Sequence, residues 1–336
     1  MYKIEVETEI NDQLRTEWQN LWNISVDSTY FNSIHWFENC IYSFSITDYL
    51  ILKIYHNKNL ISIIPLEKKG HRLYCPGDKY LDKTVLLLKN LDYDIYAQIL
   101  AYLKENKYSL IMNEVDQKYN SIFSETKYME VASENPFINL DFDIKNIIKS
   151  KERRYLENII KNNPNLTVKF YAKDSMEYMD DIFRIETKSR KNQNNKAIFG
   201  DEKVRNLFKT IAKDNYSLVA ILYDNNEPIA HLFGINNRDV EFMAYHMAYV
   251  DEYRKYQPGK IVIYNLIKHL KENKFQIFDF SRGESLLKKH FSTGNRTNYN
   301  YMLNPTFIIK VKYYHRKMIR HCKKNIKQLI KRSDKK

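Results

Sequence analysis

A chain of 336 residues with 43% apolar side chains exceeds one comfortable hydrophobic core, so two domains are expected. The three cysteines, Cys40, Cys75 and Cys322, are odd in number and lack ligand-like spacing, which argues against a disulfide framework or a zinc site; no apolar run approaches the ~20 residues of a membrane span. The formal charge of +13 is concentrated, because residues 312–336 hold eleven Lys and Arg against one Asp while the rest is nearly balanced, and a core-wide basic face for nucleic acid is thereby disfavoured.

In chain order, the opening MYKIEVETEIND has no leader pattern, and a cytoplasmic protein is expected. Helices are expected at 13–23 and 34–44, followed by strands Tyr49–Tyr55 and Leu60–Leu66 joined through the turn formers His56-Asn57-Lys58-Asn59. A strand at Thr84–Leu88, a helix at Tyr93–Glu105 and strands near Leu110–Met112 and Phe137–Leu140 complete a mixed α/β unit spanning residues 1–140. Cys75-Pro76-Gly77-Asp78 contains a Pro-Gly pair, but no amphipathic helix follows it directly, so it reads as an ordinary turn.

The second unit, 141–311, opens with Lys149-Ser150-Lys151-Glu152-Arg153-Arg154 leading a helix to about Asn162, then a strand from Leu166 to Tyr171. Helices at 175–190 and 201–213 lead to a hairpin, Leu218–Tyr223 and Pro228–Ile235, turned by Asp224-Asn225-Asn226-Glu227. Further strands are expected near Tyr299–Leu303 and Phe307–Val311. The tail, 312–336, spaces Tyr314, Met318, Ile319, Cys322, Ile326 and Ile330 at threes and fours, giving a basic amphipathic helix whose open uses are a solvated surface, weak membrane-surface contact or a phosphate-binding arm.

The stretch 240–294 organises the chain. A strand, Val240–Tyr249, alternates Phe242, Ala244, His246 and Ala248 with Met243, Tyr245, Met247 and Tyr249. Arg254-Lys255-Tyr256-Gln257-Pro258-Gly259 then enters a helix with Ile261, Tyr264, Ile267 and Leu270 on one face, ending near Lys271. Such a strand-to-helix turn leaves backbone N–H groups unpaired at the positive end of a helix dipole, which suits phosphate. A strand, Phe275–Phe280, ends at Ser281-Arg282-Gly283 before a short helical segment with Lys288 and Phe291.

This order resembles the acyl-CoA site of the GNAT superfamily, and within it is similar to the tandem-domain acyltransferases that include the CelD/BcsL-type (BioF2-like) polysaccharide enzymes and the FemAB peptidoglycan transferases. The superfamily motif R/Q-x-x-G-x-G/A is matched by Arg254-x-x-Gln257-x-Gly259, with Gln257 in place of the first glycine. The resemblance implies an α/β fold of two GNAT-like domains in tandem, each with a mixed, mainly antiparallel sheet flanked by helices, and a basic C-terminal helix beyond them. It also implies an acyl-CoA co-substrate, acetyl or short hydroxyacyl, contacted by Met247, Tyr249, Val250, Arg254, Tyr256, Gln257, Pro258, Gly259 and Lys260, with no metal. In FemAB proteins that use charged tRNA a long helical insertion is common, and residues 150–305 leave no room for one, which favours coenzyme A.

Acyl transfer to an amine needs a base, an oxyanion stabiliser and a leaving thiol. His246, Asp279 and Glu284 are the candidate bases, each also readable as a core histidine, a salt-bridged carboxylate and a helix-start acid. Backbone N–H groups around Met247–Val250 would meet the oxyanion, and by resemblance Lys288 contacts phosphate or the transition state. Arg153, Arg154, Arg190 and Lys191 are compatible with a nucleotide diphosphate or with a solvated face, and His231 and His290 read as structural. The expected reaction is N-acylation of a nucleotide-linked amino sugar, such as a dTDP-3-amino-3,6-dideoxyhexose, for surface polysaccharide or glycan; no specific nucleic acid partner is expected. Aminoacyl transfer from charged tRNA and a catalytically inactive scaffold that binds through its basic tail are the alternatives.

Overall fold

The computed structural model describes residues 1–90, 94–172 and 176–333. The first half runs β1 (Tyr2–Glu7), α1 (Asp12–Ile24), α2 (Ile34–Phe44), β2 (Tyr49–His56), β3 (Asn59–Lys69), β4 (Arg72–Tyr74), β5 (Leu87–Leu88), α3 (Ile95–Glu105), β6 (Ser109–Asp116) and β7 (Met129–Asn139). After α4 (Ile144–Ile147) and α5 (Ser150–Asn162) come β8 (Leu166–Ala172), α6 (Met179–Thr187), α7 (Arg190–Gln193), α8 (Glu202–Lys213), β9 (Ser217–Asp224), β10 (Glu227–Asn237) and β11 (Glu241–Tyr249). The chain finishes with α9 (Pro258–Glu272), β12 (Ile277–Asp279), α10 (Leu286–Phe291), β13 (Gly294–Leu303) and α11 (Phe307–Ser333). No described helix is long and apolar enough to cross a membrane.

The two halves repeat one plan. Strands β1 to β4 pair antiparallel in succession and β4 then pairs parallel with β6, just as β8 to β11 pair antiparallel and β11 pairs parallel with β12. A parallel step requires a crossover, and α3 and α9 supply it at equivalent places. The halves then fuse into one sheet, ordered β1-β2-β3-β4-β6-β13-β7-β12-β11-β10-β9-β8 with β5 beside β3. The last strand, β13, lies between β6 and β7, while β7 reaches across to β12. A second seam packs α2 on α8, and beside it Tyr30, ahead of α2, donates its backbone N–H to the side chain of Asn237 at the end of β10 at 3.0 Å and its hydroxyl to Asp214 just after α8 at 3.1 Å.

Most expected elements are present, with four differences. Phe307–Val311 is the start of a helix instead of a strand, because Asn304 takes a left-handed φ of 47° and Pro305 follows, ending β13, after which Ile309 and Tyr313 bury one helical face on Met302. Of Thr84–Leu88 only Leu87–Leu88 is strand, with an isolated bridge from Thr84 to Val115. The helix expected at 175–190 breaks at Ser189, an extended residue that divides α6 from α7. The expected strand Phe275–Phe280 shortens to Ile277–Asp279. Tyr93, Ser175 and residues 334–336 lie outside the described residues. Gly77, at φ 71°, turns the chain tightly against Trp36 and Cys40 and heads no long helix, as expected of an ordinary turn.

At the centre of the sheet lies a buried ionic cluster with members from both halves. Lys83 Nζ stands 3.0 Å from Glu241, 3.6 Å from Asp116 and 3.6 Å from Asp279, while Arg296 reaches Glu241 at 3.0 Å and Asp279 at 3.6 Å. Burial alone would raise the Glu241 carboxyl, but Lys83 and Arg296 outweigh it and hold it down to about 2. Removing one partner of such a cluster strands the others, so Lys83→Met is expected to destabilise the fold by about 3–5 kcal/mol in urea titrations. Unchanged stability would mean that the cluster does not tie the halves together.

Candidate active site

The site is made by the divergence of two parallel strands. β11 and β12 pair only over Glu241–Met243 and Ile277–Asp279. Beyond them a cavity of about 460 Å³ opens between Ala244–Met247 on one side and Phe280–Arg282 on the other, with Lys79, Tyr80 and Asp82 of the first half forming a third wall. The register of β10 against β11 slips between Phe233 and Gly234, so that Phe233 faces His246 and Gly234 faces Ala244. Tyr245 is therefore the extra residue of a β-bulge, and the strict alternation expected of this strand fails here. The bulge turns Tyr245 and His246 to the same face: both rings meet Phe208 of α8, while Met247 joins the core on the α9 side.

His246 is buried in a polar array supplied by α6 and β10. Its Nε2 lies 3.0 Å from Glu186 Oε1 and its Nδ1 lies 2.9 Å from His231 Nε2. Glu186 also accepts backbone N–H bonds from Ile198 and Phe199, at 3.2 and 2.8 Å. Burial would raise this carboxyl, but the His246 bond and these two donors together hold it below the ordinary range, so it only accepts. His246 Nε2 must then carry the proton and Nδ1 must accept from His231, which leaves His231 Nδ1 a buried acceptor without a partner among the described residues. Burial lowers His246 to about 4, with the Glu186 bond opposing, and pushes His231 well below its ordinary value. Both nitrogens of His246 are committed.

Lys191 Nζ stands 3.2 Å from His246 Nε2 and lines the cavity. Because Nε2 bears a proton, an ammonium there would set donor against donor, whereas a neutral amine offers a lone pair. Among the described residues no carboxylate lies within ion-pair distance of Lys191, and burial lowers it from the ordinary lysine range. Lys288, on α10, is held differently: its ammonium donates to the carbonyls of Ser281 and Arg282 at 3.2 and 2.7 Å. Arg282 Nε pairs with Asp82 at 2.7 Å, Ser281 donates its hydroxyl to Asp82, and Arg282 donates to the Lys79 carbonyl at 2.7 Å, so the first half fixes the end of the β12 turn.

Of the sequence-predicted residues, Lys191, His246, Met247 and Lys288 line this cavity. Asp279 does not: it alternates with Phe278 and Phe280, so its side chain leaves by the other face, where Lys83 and Arg296 flank it. There Asp279 accepts the Ser281 backbone N–H at 2.7 Å. Glu284 is half exposed and paired with Lys289 at 2.9 Å. The Val250 N–H is bonded to the Ile229 carbonyl at 2.8 Å and is not free to meet an oxyanion. At the head of α9, Gln257 takes a left-handed φ of 53° and makes no side-chain cap, Pro258 occupies the first turn, and a Cβ on Gly259 would touch Met247 and Leu287, two walls of the cavity. Lys260 pairs with Glu152 of α5 at 2.7 Å and Gln257 reaches Tyr155 at 3.1 Å; Arg254 is exposed, and Tyr249 and Tyr256 are partly buried outside the cavity lining. His290 lies 3.8 Å from Glu152, and Arg153, Arg154 and Arg190 stand apart from the cavity that Lys191 enters. Sequence reasoning missed Glu186, Asp82 and Lys79, which are distant in the chain and belong to no motif.

Residues 145–289 match the family model described as an acetyltransferase (GNAT) domain. Over these residues the chain is similar to GNAT acetyltransferase domains. Among solved structures, FemX is similar with a TM-score of 0.62 at 10% identity, covering 89% of this chain and 98% of its own. The C-terminal domain of a putative lysylphosphatidylglycerol synthetase from Agrobacterium fabrum gives 0.60 at 10% identity over 89% and 93%, and L-PGS from Bacillus licheniformis gives 0.53 at 14% over 81% and 89%. At these identities the likeness is one of fold. No curated protein matches the chain in sequence.

The buried histidine predicts a pH dependence. Its folded pKa of about 4 lies below the ordinary 6.5, so on acidification the unfolded chain binds the proton first. The corresponding stability is complete above pH ~6.5 and is lost as pH falls towards ~4, by up to about 3 kcal/mol. Urea titrations from pH 7 to 4 are expected to show this slope, and His246→Gln, which can still donate to Glu186, is expected to flatten it.

Proposed function

We propose that the GNAT domain transfers an acyl group from acyl-CoA to the amine of a nucleotide-linked amino sugar by direct attack, in a cytoplasmic setting. The observation that carries this reading is the cavity itself: it lies between the splayed strands and a wall from the first half, and two of its lining residues, Met247 and Leu287, stand against Gly259 at the uncapped N-terminus of α9. Pro258 and Gly259 open α9 without a side-chain cap, which suits the coenzyme pyrophosphate, and the β11 edge beyond Met243 lies free of β12 for the donor arm. The acceptor side carries Lys79, Lys191, Arg282 and Lys288 against the single carboxylate of Asp82, itself held by Arg282, and the rings of Tyr80, Phe208 and Tyr245. That balance of cations and aromatic faces suits a phosphate-bearing sugar. Residues 1–140 serve in this reading as the acceptor wall and 141–311 as the donor domain.

The acceptor nitrogen forms a bond to the thioester carbonyl carbon as the carbonyl electron pair moves to oxygen. Lys191, as the neutral amine, turns its single lone pair from the His246 N–H to the attacking nitrogen and takes its proton, while that N–H stays bonded to Glu186. The carbonyl then reforms, the carbon–sulfur bond breaks, and the thiolate takes a proton from the Lys288 ammonium. No acyl-enzyme is needed, since Cys40 and Cys75 are buried away from the cavity and Cys322 lies on α11.

Two measurements test this. Gly259→Ala, whose Cβ makes only ordinary contacts, is expected to bind acetyl-CoA like the parent, while Gly259→Glu directs a carboxylate towards Met247 and Leu287 and is expected to weaken binding by about tenfold or more in calorimetry. Thiol release from a panel of short acyl-CoA esters with dTDP- and UDP-amino sugars, a dTDP-3-amino-3,6-dideoxyhexose first, is expected to require the sugar. In Lys191→Met it is expected to fall by about 100-fold in kcat with little change in the donor KM. Release independent of sugar, or acyl transfer from charged tRNA alone, would overturn the reading.

A further inference from the structure

Helix α11 lies on the body of the protein by one face. Ile309 and Tyr313 pack on Met302, Arg316 and Arg320 reach Glu130 at 3.7 and 3.0 Å, and the Tyr313 hydroxyl donates to the Met129 carbonyl at 3.1 Å. A helix held in this way ordinarily turns polar residues to solvent. Over residues 307–318 the opposite face of α11 is apolar instead. Phe307, Val311, Tyr314 and Met318 are 79%, 50%, 57% and 59% exposed, and at about 100° per residue their positions fall within about 60° of arc. Lys310 and Lys317 flank the stripe on one side, their ammonium groups 5.9 Å from the rings of Tyr128 and Tyr313. The net charge of residues 312–336 is strongly positive, with eleven Lys and Arg against one Asp.

We propose that the outward stripe of α11 seats the protein on an anionic membrane surface, with Phe307, Val311, Tyr314 and Met318 entering the interface and the flanking lysines meeting lipid phosphates. Each half of the pattern excludes a simpler occupant. A nucleic acid phosphate backbone complements the cations but gives four adjacent apolar side chains nothing to bury against. A second copy of α11 would bring two strongly basic segments together, and their repulsion opposes a symmetric apolar pairing. An anionic bilayer surface satisfies both, because its phosphates attract the lysines and its acyl boundary takes the stripe. The inference is independent of the acyl acceptor, since α11 forms no part of the catalytic cavity.

The test uses the full chain with extruded vesicles of phosphatidylglycerol and phosphatidylcholine, or of phosphatidylcholine alone, separated by flotation. Binding to the anionic vesicles is expected to exceed binding to the zwitterionic ones and to weaken with salt. A triple variant, Phe307→Gln, Val311→Gln and Met318→Gln, keeps every charge and good helix formers at exposed positions, so it is expected to fold with an unchanged circular dichroism spectrum. Its vesicle-bound fraction is expected to drop roughly tenfold or more. The proposal is overturned if neither vesicle is bound, if the triple variant binds anionic vesicles undiminished, or if the stripe proves instead to hold a dimer that the triple variant abolishes in light scattering. Retention by RNA or duplex DNA but not by vesicles would equally sink it.

Discussion

Three residue pairs hold β11 beside β12, and nearly everything functional follows from the fact that there are no more. Two parallel strands that start together and then part expose a wedge in the middle of a sheet, where backbone groups and side chains of both faces become reachable from one opening. Such a gap is costly unless its root is pinned. Here the root is pinned by Lys83 and Arg296 on Glu241 and Asp279, the residues at its narrow end. The bulge at Tyr245 supplies the other half of the geometry by turning two successive side chains to one face. Asp279 links pin and opening, since its other oxygen accepts the Ser281 N–H that begins the turn into the cavity.

The electrostatics of the site separate into groups that hold and groups that face the opening. Glu186, His246 and His231 form a buried series in which His231 donates to His246 and the His246 Nε2 proton lies between Glu186 and Lys191. Their value lies in rigidity, since a histidine lowered to about 4 and bonded at both nitrogens is a poor direct base. Lys191 and Lys288 face the opening, both lowered by burial, and they differ in what surrounds the nitrogen: a histidine N–H beside one, two carbonyl oxygens around the other. In the proposed transfer these unlike surroundings suit the two amines to opposite proton duties.

Much of this was legible in the residues. Pro258 and Gly259 before a run of apolar residues at threes located α9, and the D-F-S-R-G strand end located the wall opposite. What stayed hidden depended on partners far along the chain. Alternation from Phe242 to Tyr249 carries no mark of a bulge, because the slip is a relation to Phe233 and Gly234 on another strand. Asp279 sits in the right segment, yet the side-chain parity of a strand sends it to the far face. Glu186 looks like any helix acid until Ile198, Phe199 and His246 converge on it. Phe307–Val311 is rich in the bulky apolar residues of a strand, and only the burial of Ile309 and Tyr313 on Met302 selects the helix.

The position of β13 has a consequence for how the chain reaches this state. Residues 294–303 are synthesised more than 150 residues after β7, yet they lie in the middle of the sheet between β6 and β7. Until they arrive, the first half displays two long strand edges with no partner, and the pairing that closes them spans more than 150 residues of sequence, as Asn298 opposite Ser133 and Asp116 shows. Loop-closure entropy must be overcome before that contact returns any stabilisation, so folding is expected to be slow and to finish late. The amino-terminal half is thereby expected to expose the β6 and β7 edges until β13 docks between them.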